Sequence, residues 1–303
     1  MRYDVLVVGG SFAGLSAAMQ LARARRKVCV VDAGAPRNRF AAASHGFFGQ
    51  DGTPPLEMVA DARAKLLAYP SVDFIQGSVT AAQADDAGEA GGFTVTLDNG
   101  AQLSTRKLLL SFGVQDGLPD ISGIGQRWGK SVLHCPYCHG YEFGDRRLGL
   151  LFHAGGPPDH ALLIAEWGPT TLFLNGSKGP DAEVRARLQS RGVTVEPGRI
   201  ASLEGAATDL AGVRLEDGRL VPVEALFVAP HTRPSSPLAE QLGCVFDDGP
   251  MGRVLRVDAM KMSTVPGVYA AGDLAMAFSN ATLASADGLM AGVSMHRSLV
   301  FGV

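Results

Sequence analysis

The sequence predicts an α/β protein made of two related parallel-sheet domains, and three observations lead there. A short apolar strand near the start runs into a glycine-rich turn, a helix and a second strand. A strand–turn–strand pattern built on an Asn-Gly or Asp-Gly dipeptide occurs twice, first from Phe93 and again from Gly212. At 303 residues the chain is also too long for one ordinary core and points to roughly two domains.

Composition narrows the class. The chain is 46% hydrophobic and 19% charged, with 27 basic and 30 acidic side chains. That balance leaves no basic field for nucleic acid or an anionic membrane, and too much apolar content for a disordered chain. Glycine is in surplus, 38 residues against an average of about 7%, which suits tight turns and close approach of backbone to a ligand. The chain opens Met-Arg-Tyr-Asp straight into a strand and holds no apolar run of the ~18–20 residues a membrane span needs. The expected location is cytoplasmic.

The first element is the run Val5-Leu6-Val7-Val8, continuous and apolar as in a strand buried on both faces. It feeds Gly9-Gly10-Ser11-Phe12-Ala13-Gly14, a helix over Leu15–Ala22, and a second strand from Lys27 to Val31 that ends at Asp32. A tight turn, backbone amides at a helix start and a carboxylate 18 positions beyond Gly14 are what a dinucleotide needs for its pyrophosphate and ribose. Ser11 stands where the middle glycine of GxGxxG belongs, so an ordinary βα turn remains the alternative.

The repeated pattern follows. Phe93–Gly100, continuing to Lys107–Gly113, and Gly212–Gly218, continuing to Glu224–Ala229, each read as an alternating strand, a hairpin turn, a second strand and a buried apolar strand. Two copies imply two Rossmann-like nucleotide-binding domains. The second should start near Arg147–Phe152, turn at His153–Pro158 and form a helix from about Asp159 to Trp167. Its turn is degraded: His153 takes the place of the first glycine and Pro157-Pro158 fall where the helix should begin. The next strand, Thr171–Leu174, ends in Asn175-Gly176-Ser177-Lys178 rather than in arginines able to grip a 2′-phosphate. Near the far end, an apolar strand closes in Ala270-Ala271-Gly272-Asp273, which places a carboxylate at the ligand-binding edge of a sheet. A helix should start near Ala281, its N-terminal amides free to face an electron-rich ring.

Cys135-Pro136-Tyr137-Cys138-His139 is the chemical centre. A CxxC at a helix start stabilises a thiolate and can close reversibly to a disulfide. His139 titrates near neutrality and can carry a thiol proton. The alternatives are zinc on His134, Cys135, Cys138 and His139, for which no second CxxC exists, or an inert buried pair. Cys29 and Cys244 read as core residues. His45, His153, His160 and His231 show no metal spacing, although His160 could line a cavity.

Together these residues resemble the low-molecular-weight thioredoxin reductase-like FAD-dependent disulfide oxidoreductases, through the N-terminal turn, the CxxC and Ala270–Asp273. Gly9–Gly14, Asp32–Asn38, Ser44–Phe47 and His134–Glu142 are similar to a subgroup, the dithiol oxidases of gliotoxin, holomycin and depsipeptide pathways. Ordinary thioredoxin reductases carry an acid after the second cysteine, where this chain has His139. They also keep an intact second glycine turn and an arginine-rich phosphate site, and this chain has neither.

The resemblance implies a thioredoxin reductase-like fold in which the second domain is inserted in the first. The FAD-binding domain would be discontinuous, 1–116 and 231–303. The inserted NADPH-type domain, 117–230, would carry the CxxC and the degraded motif, joined through Leu118-Pro119-Asp120 and the Pro-rich Pro230–Pro237. The residues implied for FAD are Gly9, Ser11, Phe12, Ala13, Gly14, Asp32, Ala33, Arg37, Asn38, His45, Val79, Gly113, Gly272, Asp273, Ala281 and Thr282. Cys135, Cys138 and His139 are the implied catalytic residues, with Cys135 attacked by substrate and Cys138 nearer the flavin. The activity implied is a natural-product thiol oxidase that closes a disulfide in a small-molecule dithiol. Dioxygen would be the final acceptor, hydrogen peroxide the product, and the protein a homodimer without nucleic-acid or membrane partners. An NADPH-dependent disulfide reductase and a flavin-bearing redox sensor stay open beside it.

Overall fold

The computed structural model describes residues 2–85, 91–152 and 156–302. They form two compact units, one of 1–39, 54–115 and 232–303, the other of 40–53 and 116–231. The sequence reading divides the chain at 116/117 and 230/231 and keeps 40–53 with the first domain. In the structure the divisions fall one residue away, and 40–53 goes with the second unit. Its place there comes from long-range contacts: a Cβ on Gly129 would lie 2.6 Å from the Phe40 Cβ, and His45 faces Glu142.

The first unit is a parallel sheet in the order Val72–Gln76, Val28–Asp32, Arg2–Val8, Gln102–Leu110. Two elements share the outer edge of Gln102–Leu110. Phe93–Leu97 pairs antiparallel with its first half, and Val268–Ala270 pairs parallel with its last residues. The reading of Val5–Val8 as doubly buried follows from side-chain alternation: Leu6, Val8, Cys29 and Val31 enter one core, while Val5, Val7, Val28 and Val30 enter the other. Each such burial stabilises by ~1.5–3 kcal/mol.

On the second of these cores lie the first helix, Phe12–Arg23, and the last, Ala281–Phe301. Their backbones touch because Gly288 and Gly292 carry no side chain. A Cβ would sit 2.0 Å from the Ala13 carbonyl oxygen at Gly288, and 2.6 Å from that of Ala17 at Gly292.

The second unit repeats the plan. Its parallel sheet runs Thr194–Glu196, Thr170–Phe173, Leu148–Leu151, Ala225–Phe227, Val132–Leu133. Ile200–Glu204, Gly212–Leu215 and Leu220–Val221 form an antiparallel meander. Gly100 and Gly218 hold the left-handed conformation of the two hairpin turns, φ +81° and +90°. The copies differ in one respect. In the first, the second hairpin strand and the buried strand are one continuous element, Gln102–Leu110, whereas in the second they are separate. Arg127, 1% exposed, ties the second unit together by donating to the carbonyls of Gly123, Gly205 and Asp209.

Two expected helices are shorter than read. Asp159–Trp167 contains a helix only over His160–Ile164, because Pro157-Pro158 restrict its entry and Gly168-Pro169 its exit. The helix after Cys135 is a single turn, Pro136–His139, that passes into a 3₁₀ turn, Tyr141–Phe143. Residues 153–155, which include His153, lie outside the described residues. Among the described residues no helix is long and apolar enough to cross a membrane.

Candidate active site

Two sites stand out, one in each unit. In the first, the strand ending at Val8 turns at Gly9, whose φ of +101° and approach to the Ser111 carbonyl both exclude a side chain. A Cβ on Gly14 would lie 1.8 Å from the Gly9 oxygen, so the helix can start only if that position is bare. Ser111 Oγ braces the turn by donating to the Val8 and Gly9 carbonyls at 3.0 and 2.9 Å. Asp32 ends the neighbouring strand and accepts from the Gly10 amide at 2.8 Å and the Gly34 amide at 3.1 Å.

Gly10, Ser11, Asp32, Ala33 and Gly34 line a cleft of about 370 Å³, together with Arg63 and Gln76. Phe12 and Ala13 open the helix, and Asn38 follows Arg37 in the 3₁₀ turn Arg37–Phe40. Arg37 pairs with Asp273 at 2.9 Å and so joins both ends of the chain. Asp273 lies on the turn Gly272–Leu274, directly after Val268–Ala270. Ala281 and Thr282 begin the last helix, where the Asn280 side chain caps by accepting from the Leu283 amide at 2.8 Å. Val79 is buried at the head of its strand, and Gly113 follows Gln102–Leu110 with φ +68°.

His45 belongs to the second unit. Its Nε2 is 3.3 Å from Glu142 Oε1 and its Nδ1 3.5 Å from Asp51 Oδ1.

In the second unit Cys135 and Cys138 form a disulfide, with Cα atoms 5.3 Å apart. Cys135 is extended and precedes the turn; Pro136 occupies its first position, where no amide is required. Gly140 ends it with its bare face on the Trp167 indole, and the Tyr137 ring meets the same indole edge-on at 5.6 Å. A one-turn helix has little dipole, so thiolate stabilisation at Cys135 rests less on the macrodipole than the sequence reading supposed. Burial holds the His139 imidazole below its ordinary titration range; Glu142 opposes that shift and His45 adds to it. Neutral imidazole is the form that accepts a proton from a thiol.

The other cysteines are core. Burial pushes the Cys29 thiol up to about 12 and raises that of Cys244, whose Sγ lies 3.5 Å from Ser263 Oγ. His160 is held neutral by burial. The side chain of Asn175, two residues beyond the strand Thr170–Phe173, is spent on the Ile200 amide at 2.9 Å.

Two residues escaped the sequence reading. Asp287, 5% exposed on the last helix, accepts from the Gly272 amide at 2.9 Å and forms an ion pair with Lys261. It thereby fixes the turn that carries Asp273. The available signal was a carboxylate inside the small-residue run Ala284–Gly288, on the face that packs inward.

A bare glycine cradle with a carboxylate at its strand end, and a CxxC disulfide beside a neutral histidine, define a disulfide oxidoreductase of two nucleotide-type domains. Residues 3–152 and 175–288 match the family described as pyridine nucleotide-disulphide oxidoreductase, and the chain belongs to that family. Its members are flavoproteins, generally FAD-binding, so the protein is an oxidoreductase enzyme. Thioredoxin reductase tcpT of Claviceps purpurea (strain 20.1) is 33% identical over 309 residues, covering 98% of this chain and 94% of its own. The crystal structure of an oxidoreductase from Agrobacterium tumefaciens matches with a TM-score of 0.94 and 44% identity over 100% of both chains. That of HlmI matches at 0.92 and 38%, over 99% of this chain and 93% of its own.

Proposed function

We propose that the protein is an FAD-dependent dithiol oxidase that closes a disulfide in a small-molecule dithiol. The observation that carries this reading is His139, next to Cys138 and kept neutral by burial, where ordinary thioredoxin reductases have an acid. FAD fits the first unit: the turn admits no Cβ at Gly9 or Gly14, and Asp32 lines the adjoining cleft. Gly9–Gly14 would hold the pyrophosphate and Asp32 a ribose hydroxyl, with Arg37 and Asp273 nearby from opposite ends of the chain.

His139 takes the proton of one substrate thiol. The thiolate attacks the enzyme disulfide at Cys135, the S–S bond breaks, and Cys138 leaves as a thiolate. The second substrate thiol, once deprotonated, attacks the sulfur joined to Cys135 and expels it, so the substrate departs as a disulfide and the enzyme holds two reduced cysteines. Bound FAD, held by Gly9–Gly14 and Asp32, would supply the two-electron acceptor for that dithiol pair, with dioxygen as the final oxidant and hydrogen peroxide as its product.

Aerobic turnover of a small dithiol tests this, with peroxide measured with and without NADPH. Peroxide in step with dithiol loss, independent of NADPH, is expected. The name thioredoxin reductase carried by curated relatives favours a second reading, NADPH-dependent disulfide reduction. Under that reading NADPH alone, without oxygen, would bleach the flavin quickly and no dithiol would be oxidised.

A homodimer belongs to the same proposal. The last helix is apolar on both faces: while Ala284, Ala291 and Met295 are buried, Leu289, Met290, Val293, Val300 and Phe301 are exposed along the opposite side. A helix apolar all round is ordinarily covered.

A further inference from the structure

We propose that His45 is a positioning residue for the redox centre: gripped between Asp51 and Glu142, it holds the Glu142 carboxylate in place on the turn that follows His139 and the CxxC disulfide. This inference rests on the catalytic role proposed for His139. Segment 40–53 interrupts the first unit in sequence yet packs within the second. It closes on itself as a small loop, with the Ser44 amide donating to the Thr53 carbonyl at 2.9 Å and the Gly46 amide donating to Asp51 Oδ1 at 2.8 Å.

That closure fixes Asp51, and Asp51 in turn faces one nitrogen of His45 at 3.5 Å. The other nitrogen lies 3.3 Å from Glu142 Oε1. Glu142 belongs to the 3₁₀ turn that directly continues the CxxC turn, three residues after His139. Glu142, from the adjoining turn, and His45, from the loop, are the titratable groups that bear on His139. Asp51 faces His45 from the far side. The two act in opposite senses: the carboxylate favours a proton on His139, and the second imidazole disfavours it. His45 also holds the carboxylate in place, so the loop governs both influences.

The pairing has a consequence that packing alone would not produce. Replacing either partner weakens the same contact, yet the two replacements should move His139 in opposite directions. In FAD-loaded full-length protein, oxidised and without substrate, the His139 imidazole is titrated by NMR. His45→Gln should shift its titration to higher pH and Glu142→Gln to lower pH. The acid limb of dithiothreitol turnover should follow with the same signs.

Shifts of one sign in both glutamine variants, or no shift in a variant that keeps the flavin spectrum, would overturn the proposal. If His45→Gln does not fold, His45→Asn is titrated in its place, with the same upward shift expected. Because the titration needs no turnover, opposite shifts without dithiol oxidation would sustain the positioning role and sink the oxidase reading instead.

Discussion

The two redox sulfurs have different surroundings. Cys135 is the extended residue ahead of the turn, and Cys138 sits inside it, next to half-buried His139. If Cys138 is the inner sulfur, Cys135→Ser leaves a thiolate able to form a long-wavelength charge-transfer band with oxidised flavin, and Cys138→Ser does not; the reverse pattern in absorption spectra would exchange the roles. His139 makes a prediction in pH. Because burial keeps the imidazole neutral below its ordinary range near ~6.5, the protein should retain its base as the solution acidifies, while free thiols, with pKa of about 8.5, lose their thiolate. His139→Ala should therefore lower dithiothreitol turnover by ~10²-fold near neutrality, with a gap that narrows towards alkaline pH, and unchanged FAD content shows that the loss is catalytic. The adjacency of His139 to Cys138 is legible in the sequence. Its burial and the Lys261–Asp287 pair are not, because they are set by residues distant in the chain.

Among the elements, the meeting of the first and last helices depends on two missing side chains. A methyl group at Gly288 would have to occupy the space of the Ala13 carbonyl, 2.0 Å away. Gly288→Ala should destabilise the protein by ~1–3 kcal/mol or more through overpacking, read as a lower denaturant midpoint. It should also weaken FAD retention, since Ala13 belongs to the cradle helix. An exposed position on the same helix, such as Ala286, should tolerate Ser without either effect. The strand–turn–helix of residues 2–23 was legible because apolar run, bare turn and helix repeat agree locally. The placement of segment 40–53 was not: it has no periodicity of its own, and only Phe40 against Gly129 and His45 against Glu142 reveal where it belongs. The short helix His160–Ile164 shows the opposite case, in which prolines visible in the sequence set the length of the element.

For the whole molecule, the exposed apolar side of the last helix leads to an expected dimer in sedimentation velocity, with Val293→Glu and Phe301→Glu together shifting the population to monomer while the flavin spectrum is kept. The Arg37–Asp273 pair and the contact of Gly288 with Ala13 have a consequence in time. Both join residues at least 236 positions apart in the sequence, so the first helix cannot be covered until the last emerges from the ribosome. At ~5–20 residues per second that wait lasts on the order of tens of seconds, during which the second unit has all its strands available. Ribosome-arrested chains ending near residue 260 should accordingly show protease protection over 116–231 before it appears over 2–39. The redox unit would be assembled while the opening strands of its neighbour still await their final helix, leaving them the stretch of nascent chain with the greatest need of a chaperone.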